Sequence, residues 1–222
     1  MGGMIPLGDA SRRMARWPVV TVLLIAANAY AFFLELNNGE RFVYAWSVIP
    51  RNISHGYAWP TLLTATFLHA GWSHIIGNMI FLWAFGPAME DVMGHARYVI
   101  FYLAGGVTAM MVQILAAPNS TISCLGASGA IAAVMGAFIV TFPRDRIRTF
   151  WFILIFFRVS YIPAVVLIGF WIFTQILNVG VVADAQSGGV AYMAHIGGFA
   201  FGMITARAFV IRDRVAFRGV GY

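Results

Sequence analysis

Long apolar blocks, separated by short polar breaks, occupy most of the chain. Six of them can be drawn: Trp17–Leu36, Ser73–Met89, Arg97–Ala117, Ser128–Phe142, Ile162–Leu177 and Ala191–Ile211. Each approaches the ~20 residues that a helix needs to cross a bilayer. None shows the alternation of a barrel strand, and backbone left unpaired in hydrocarbon is costly, so each block is expected to be helical. The stretch from Asn37 to Trp72 behaves differently. Pro50 and Pro60 interrupt it too often for a span, while Trp46, Trp59 and Trp72 make it too apolar for a plain solvated linker. It reads as a loop lying in the membrane interface. The expected fold class is therefore an all-α membrane protein, a six-span bundle with a membrane-embedded first loop. Residues 17–211 form the domain, and residues 1–16 and 212–222 are tails.

Composition agrees. The chain is 61% hydrophobic and 10% charged, where a soluble domain has about 25% charged residues. The net charge of +6 comes from arginine alone. Placing the N-terminus in the cytoplasm puts eleven arginines on that side: Arg12, Arg13, Arg16, Arg97, Arg144, Arg146, Arg148, Arg207, Arg212, Arg214 and Arg218. Only Arg41 and Arg51 fall outside, and Arg158 sits near the start of the fifth block. That bias predicts both termini in the cytoplasm. Because the arginines cluster at block ends, nucleic-acid binding is not expected. The first block continues past the small residues Ala27 and Ala29, so it reads as a retained span and not as a cleaved signal. The short start, without a presequence, fits a bacterial inner membrane. A single cysteine, Cys124, excludes an internal disulfide and reads as a small packed residue.

Polar groups near the outer ends of three blocks supply candidate chemistry. His74 and Asn78 lie on the second, Ser128 on the fourth and His195 on the sixth. Buried polar groups in a span are costly and usually face a cavity or one another. Ser128 stands where a loop becomes a helix, between Gly126 and Gly129, and a helix N-terminus offers free N–H groups to a developing oxyanion. The same serine also fits a simple N-cap. On the sixth block, His195 shares a face with Gly198 and Gly202. On the fourth, Ser128, Ala132 and Gly136 share a face. Two such small-residue ledges can press backbone against backbone and bring Ser128 to His195. Alone, His195 also fits a packed polar residue or a cofactor ligand. His74 and Asn78, four residues apart, are donors on one face. The acids all fall at block ends or in loops, Asp184 among them, so a serine–histidine dyad is favoured over a triad. His69, His74 and His195 lack the spacing of a zinc site, and no metal or cofactor is expected.

Together, Gly126-x-Ser128-Gly129, Ala194-His195-x-x-Gly198-x-x-x-Gly202 and His74-x-x-x-Asn78 preceded by His69 resemble the rhomboid intramembrane proteases over nearly the whole chain, from about Trp17 to Ile211. The resemblance implies peptide-bond hydrolysis within the bilayer by a serine endopeptidase. Ser128 would be the nucleophile and His195 the general base and acid. Asn78, His74 and the Ser128 backbone N–H would hold the oxyanion. Substrates would be transmembrane segments of single-pass proteins, reached through a site open to the outside. The fifth span would be a lateral gate. Family relatives that only bind transmembrane helices lack the serine or the histidine. Two features depart from the pattern. Position 132 is Ala where some members carry a tyrosine stacked on the histidine, which leaves open what orients the imidazole. The first loop also lacks the Trp-Arg pair of some members.

Overall fold

Alternation of exposed Arg146 and Arg148 with buried Ile147 and Thr149 marks a half-buried strand, and this is where the fold departs most from an all-helical bundle. The computed structural model describes residues 2–12, 14–153, 156–182 and 191–216; Arg13, Asp184 and Arg218 lie outside them. In chain order the elements are β1 (Gly2–Asp9), α1 (Val19–Trp46), α2 (Pro50–Ser54), α3 (Thr61–Thr64), a 3-10 turn (Ala65–Phe67), α4 (Trp72–Met93), α5 (His95–Ala116), α6 (Ser128–Thr141), β2 (Arg146–Ile153), β3 (Phe156–Pro163), α7 (Ala164–Val182), α8 (Tyr192–Phe209) and α9 (Arg212–Ala216). By length and composition α1 and α5 are able to cross a bilayer, and α6 and α7 (over Ala164–Val179) are shorter apolar helices.

The expected all-α class is corrected by an antiparallel sheet in the order β1-β2-β3. β1 pairs with β2 from Gly2 opposite Ile153 to Asp9 opposite Ile147, with an irregularity between Pro6 and Gly8. Pro6 lacks an N–H and sits on an edge strand, where the missing donor costs least. Residues expected as a free N-terminal tail are thus part of the fold. The segment between α6 and α7 is a hairpin, and the fifth apolar block becomes helical only at Ala164, after Pro163.

The first block also runs further than expected. α1 continues past Leu36 to Trp46 across a kink at Gly39, whose φ of 69° suits glycine. Glu35 consequently lies inside a helix, not at its end. It is buried, and its carboxylate accepts the His69 N–H at 3.0 Å. A second buried carboxylate, Glu90 near the end of α4, accepts the N–H groups of Val20 and Thr21 at 2.8 Å each and the Thr21 hydroxyl at 2.7 Å. It caps the start of α1, where backbone donors have no intrahelical acceptor.

The first loop folds α2, α3 and the 3-10 turn against α5 through Val48, Ile53, Leu62, Ala65, Met110 and Ile114. It is tied to the segment before α6 by Val48 N–H to Cys124 O at 3.0 Å, the reciprocal bond at 2.8 Å, and Gly126 N–H to Ala65 O at 2.8 Å. Trp46, Trp59 and Trp72 stay exposed.

α6 is the central helix, buried continuously from Gly129 to Phe138. Its seam with α8 has no room for side chains. A Cβ on Gly198 would lie 3.0 Å from the carbonyl carbon of Gly129, and far inside contact with its oxygen. A Cβ on Gly202 would lie 2.7 Å from the carbonyl carbon of Ala133, and one on Gly136 would strike the Phe199 carbonyl. Of the expected ledge of Ser128, Ala132 and Gly136, Gly136 is in the seam and Ser128 stands at its end, but Ala133 takes the place of Ala132. Gly129, Ala133 and Gly136 meet α8, while Ala132 is buried in the main core on the neighbouring face. Association in lipid relies on such close backbone packing, because hydrocarbon supplies no hydrophobic drive between helices.

Candidate active site

Four helices converge on one polar cluster. Ser128 opens α6, so its backbone N–H belongs to the first turn and has no intrahelical acceptor. His195 lies in the first turn of α8. The Ala194 N–H beside it donates to Gln113 Oε1 of α5 at 3.3 Å, which fixes the start of that helix. The glycine seam closes the two helices below these residues. His195 Nε2 then stands 2.7 Å from Ser128 Oγ. The imidazole is buried between the Trp171 ring, 5.4 Å away, and the Tyr192 ring, 6.4 Å away and nearly perpendicular.

Of the two donors expected on α4, His74 borders the same region. The Ala70 N–H donates to His74 Nδ1 at 3.3 Å. A neutral imidazole that accepts at Nδ1 carries its proton at Nε2, so the donor edge of His74 is turned away from its own loop. Gly126 separates this ring from the serine. A Cβ there would lie 3.0 Å from His74 Nε2 and 3.5 Å from Ser128 Oγ, and the residue has φ +127°. Conformation and space both require glycine, which lets the two side chains flank one small volume. Asn78, one turn after His74, is buried, and its Nδ2 has no hydrogen-bond partner among the described residues. An unpaired buried donor costs about 1–3 kcal/mol, so Asn78 is free to serve a group that enters from outside the fold.

His69, read from the sequence as structural, is buried with its ring in a T-shaped contact 5.1 Å from His74. Its backbone N–H is held by Glu35. Among the described residues no group of three or more His, Cys, Asp or Glu side chains is placed to hold a metal ion. Cys124 is buried in the loop before α6.

Sequence reasoning missed Gln175. This α7 residue is buried, and its Oε1 lies 2.8 Å from His195 Nδ1. The signal was present: a lone amide in an apolar block, which seldom faces lipid. No carboxylate among the described residues hydrogen-bonds the imidazole.

Residues 56–212 match the model of the rhomboid domain. The rhomboid protease GluP of Bacillus subtilis (strain 168) is 32% identical over 133 residues, 58% of this chain and 26% of GluP. The chloroplastic rhomboid-like protein 11 of Arabidopsis thaliana is 34% identical over 110 residues, 47% of this chain and 39% of that protein. The putative rhomboid protease YdcA of Bacillus subtilis (strain 168) is 30% identical over 135 residues, 59% of this chain and 67% of YdcA. The chain thus spans about a quarter of GluP and well under half of the plant protein.

Proposed function

The chain belongs to the rhomboid family of integral membrane proteins, and from that premise we propose that it is an intramembrane serine endopeptidase acting through Ser128 and His195. The observation that carries the reading is the 2.7 Å approach of His195 Nε2 to Ser128 Oγ. His195 takes the hydroxyl proton as Oγ attacks the scissile carbonyl, and returns it to the leaving amine. The oxyanion forms against Asn78 Nδ2, His74 Nε2–H and the Ser128 N–H. Water then hydrolyses the acyl-enzyme by the same proton relay in reverse.

In this reading six helices cross the bilayer, α1, α4, α5, α6, α7 and α8, with both chain ends cytoplasmic as the arginine bias requires. The Ser128 end of α6 lies on the outer side of a bacterial inner membrane. Substrates are transmembrane segments of single-pass proteins, cut near the outer face. The exposed tryptophans of the first loop sit in the interface.

The test is labelling of detergent-purified protein by a fluorophosphonate, together with cleavage of a single-pass transmembrane substrate containing small residues. The natural sequence is labelled and cleaves; Ser128→Ala does neither, and His195→Ala loses both by at least about 100-fold. Cleavage retained in folded Ser128→Ala refutes the assignment. Substrate binding without labelling or cleavage by the natural sequence would make the protein a helix-binding relative instead.

A further inference from the structure

Histidine can serve as a base toward Ser128 only in one of its two neutral forms. The proton must sit on Nδ1, leaving the Nε2 lone pair for the hydroxyl. Proteases with a triad fix that form with a carboxylate on Nδ1. Here the group on Nδ1 is an amide, and an amide has two chemically different ends.

Its orientation follows from its surroundings. The Gln175 side chain has one end at His195 Nδ1, 2.8 Å away, and the other 3.1 Å from the Trp171 carbonyl oxygen and 3.0 Å from Thr174 Oγ1. A carbonyl oxygen only accepts, so the end facing Trp171 must be the NH2 group. The Thr174 hydroxyl spends its proton on the same carbonyl at 2.6 Å, and its oxygen is left to accept from the amide. Oε1 must therefore face the ring. A carbonyl oxygen facing Nδ1 requires Nδ1 to be the donor. Nε2 is then the acceptor, and the Ser128 hydroxyl must donate to it across 2.7 Å. Each step leaves one choice, from a backbone carbonyl on α7 to the nucleophile on α6.

From this chain of bonds we infer that Gln175 is the positioning residue of the dyad: it sets the tautomer and the plane of His195 from a helix that carries neither reacting group. The inference rests on the protease reading above. The amide supplies no net charge, so it orients the imidazole and solvates the forming imidazolium through its carbonyl dipole. The same turn of α7 supplies the Trp171 ring, whose centroid lies 5.4 Å from that of the imidazole at a tilt of 42°, so two residues of one helix contact His195. Position 132, one turn after Ser128 on α6, is Ala buried in the core and has no polar or aromatic group to hold the ring. Orientation comes from α7 instead.

The experiment has two arms on the detergent-purified full chain. In the first, Gln175→Leu is compared with the natural sequence in cleavage of a transmembrane substrate. The variant loses about 10- to 100-fold in kcat, equivalent to about 1.4–2.8 kcal/mol, with KM changed less than twofold and an unchanged unfolding temperature. An unchanged kcat would overturn the inference while leaving the dyad in place. In the second, the ring nitrogens are followed by 15N NMR of histidine-labelled protein, with His195→Ala identifying the signals. The natural sequence shows His195 protonated at Nδ1 alone, and Gln175→Leu shows a mixture of tautomers. An Nε2–H form in the natural sequence, or an undisturbed Nδ1–H form in Gln175→Leu, would overturn it. This arm needs no turnover, so it separates failure of the positioning role from failure of the protease reading, which the Ser128→Ala comparison tests.

Discussion

Gly198→Ala isolates the contact that sets the distance between the two reacting groups. The new Cβ would lie 3.0 Å from the Gly129 carbonyl carbon and far inside contact with its oxygen. Neither atom is at the end of a flexible side chain, so the backbones themselves must part. Restoring ordinary contact requires about 1 Å of separation. Gly129 follows Ser128 directly and Gly198 lies one turn from His195, so most of that displacement reaches the dyad. The 2.7 Å approach of Oγ to Nε2 becomes about 3.7 Å, well outside the 2.5–3.0 Å of an O–H hydrogen bond. Loss of general-base assistance then slows the reaction by about 10²–10⁴, while overpacking costs about 1–3 kcal/mol of stability. The assay is the rate of fluorophosphonate labelling, measured beside the thermal unfolding temperature in the same detergent. Labelling falls at least about 100-fold, whereas unfolding shifts by only a few degrees. Gly169→Ala on α7, where nothing lies within 4 Å of the added methyl, labels at the natural rate. Natural labelling by Gly198→Ala would refute the argument that the seam sets the dyad distance.

Three other perturbations read other parts of the fold. Gly126→Ala combines a forbidden φ with a methyl 2.9 Å from His74 Cε1; labelling is lost by at least about 100-fold, and unchanged labelling would show that the flank of the site is free to adjust. Glu90→Ala leaves two backbone N–H groups at the start of α1 without their acceptor. Stability in detergent falls by about 2–4 kcal/mol, but labelling survives at low temperature because α6 and α8 are untouched; loss of labelling in the folded variant would contradict this separation. Asp9 gives a pH dependence. Burial, and secondarily the nearby Asp145 carboxylate, push its pKa from 3.8 up to about 7. The folded chain then holds more protons than the unfolded chain between about pH 4 and 7, so stability declines across that window as Asp9 ionises. Asp9→Asn flattens the decline and raises the unfolding temperature at pH 8; an unchanged pH profile would exclude Asp9 as its source.

The helices were legible because lipid imposes one pattern on them. α4, α5, α6 and α8 each begin and end within a few residues of their apolar blocks. The sheet was harder to see. β2 and β3 are rich in aromatic and β-branched residues, and β3 runs without a polar break into α7, so hydropathy alone joins strand to helix. β1 contains glycines and a proline, which are poor strand formers, and gains its pairing only because the hairpin edge is presented to it. The buried carboxylates were hidden for a related reason. Glu35 and Glu90 stand near the ends of apolar blocks, where a charge looks solvated. Their partners include backbone N–H groups of other segments, which no sequence pattern displays.

The site itself was read through its rare polar residues, and the reading stopped where it required knowing which neighbour faces which atom. His74 and Gln175 are each held by backbone, His195 by the Gln175 amide, and no carboxylate among the described residues hydrogen-bonds any of the three. The Ala70 N–H holds His74, the Trp171 carbonyl holds Gln175, and Gln113 holds the backbone start of the turn bearing His195. In a bundle surrounded by hydrocarbon this has a physical reason. A carboxylate partner would bring a charge whose desolvation costs several kcal/mol, whereas a backbone dipole is already present and must be satisfied in any case. Orientation by backbone dipoles adds no charge while the site is at rest. In the proposed acyl transfer the proton arrives at His195 Nε2, 2.7 Å from Ser128 Oγ, and charge develops against donors such as Asn78 Nδ2, which has no partner among the described residues.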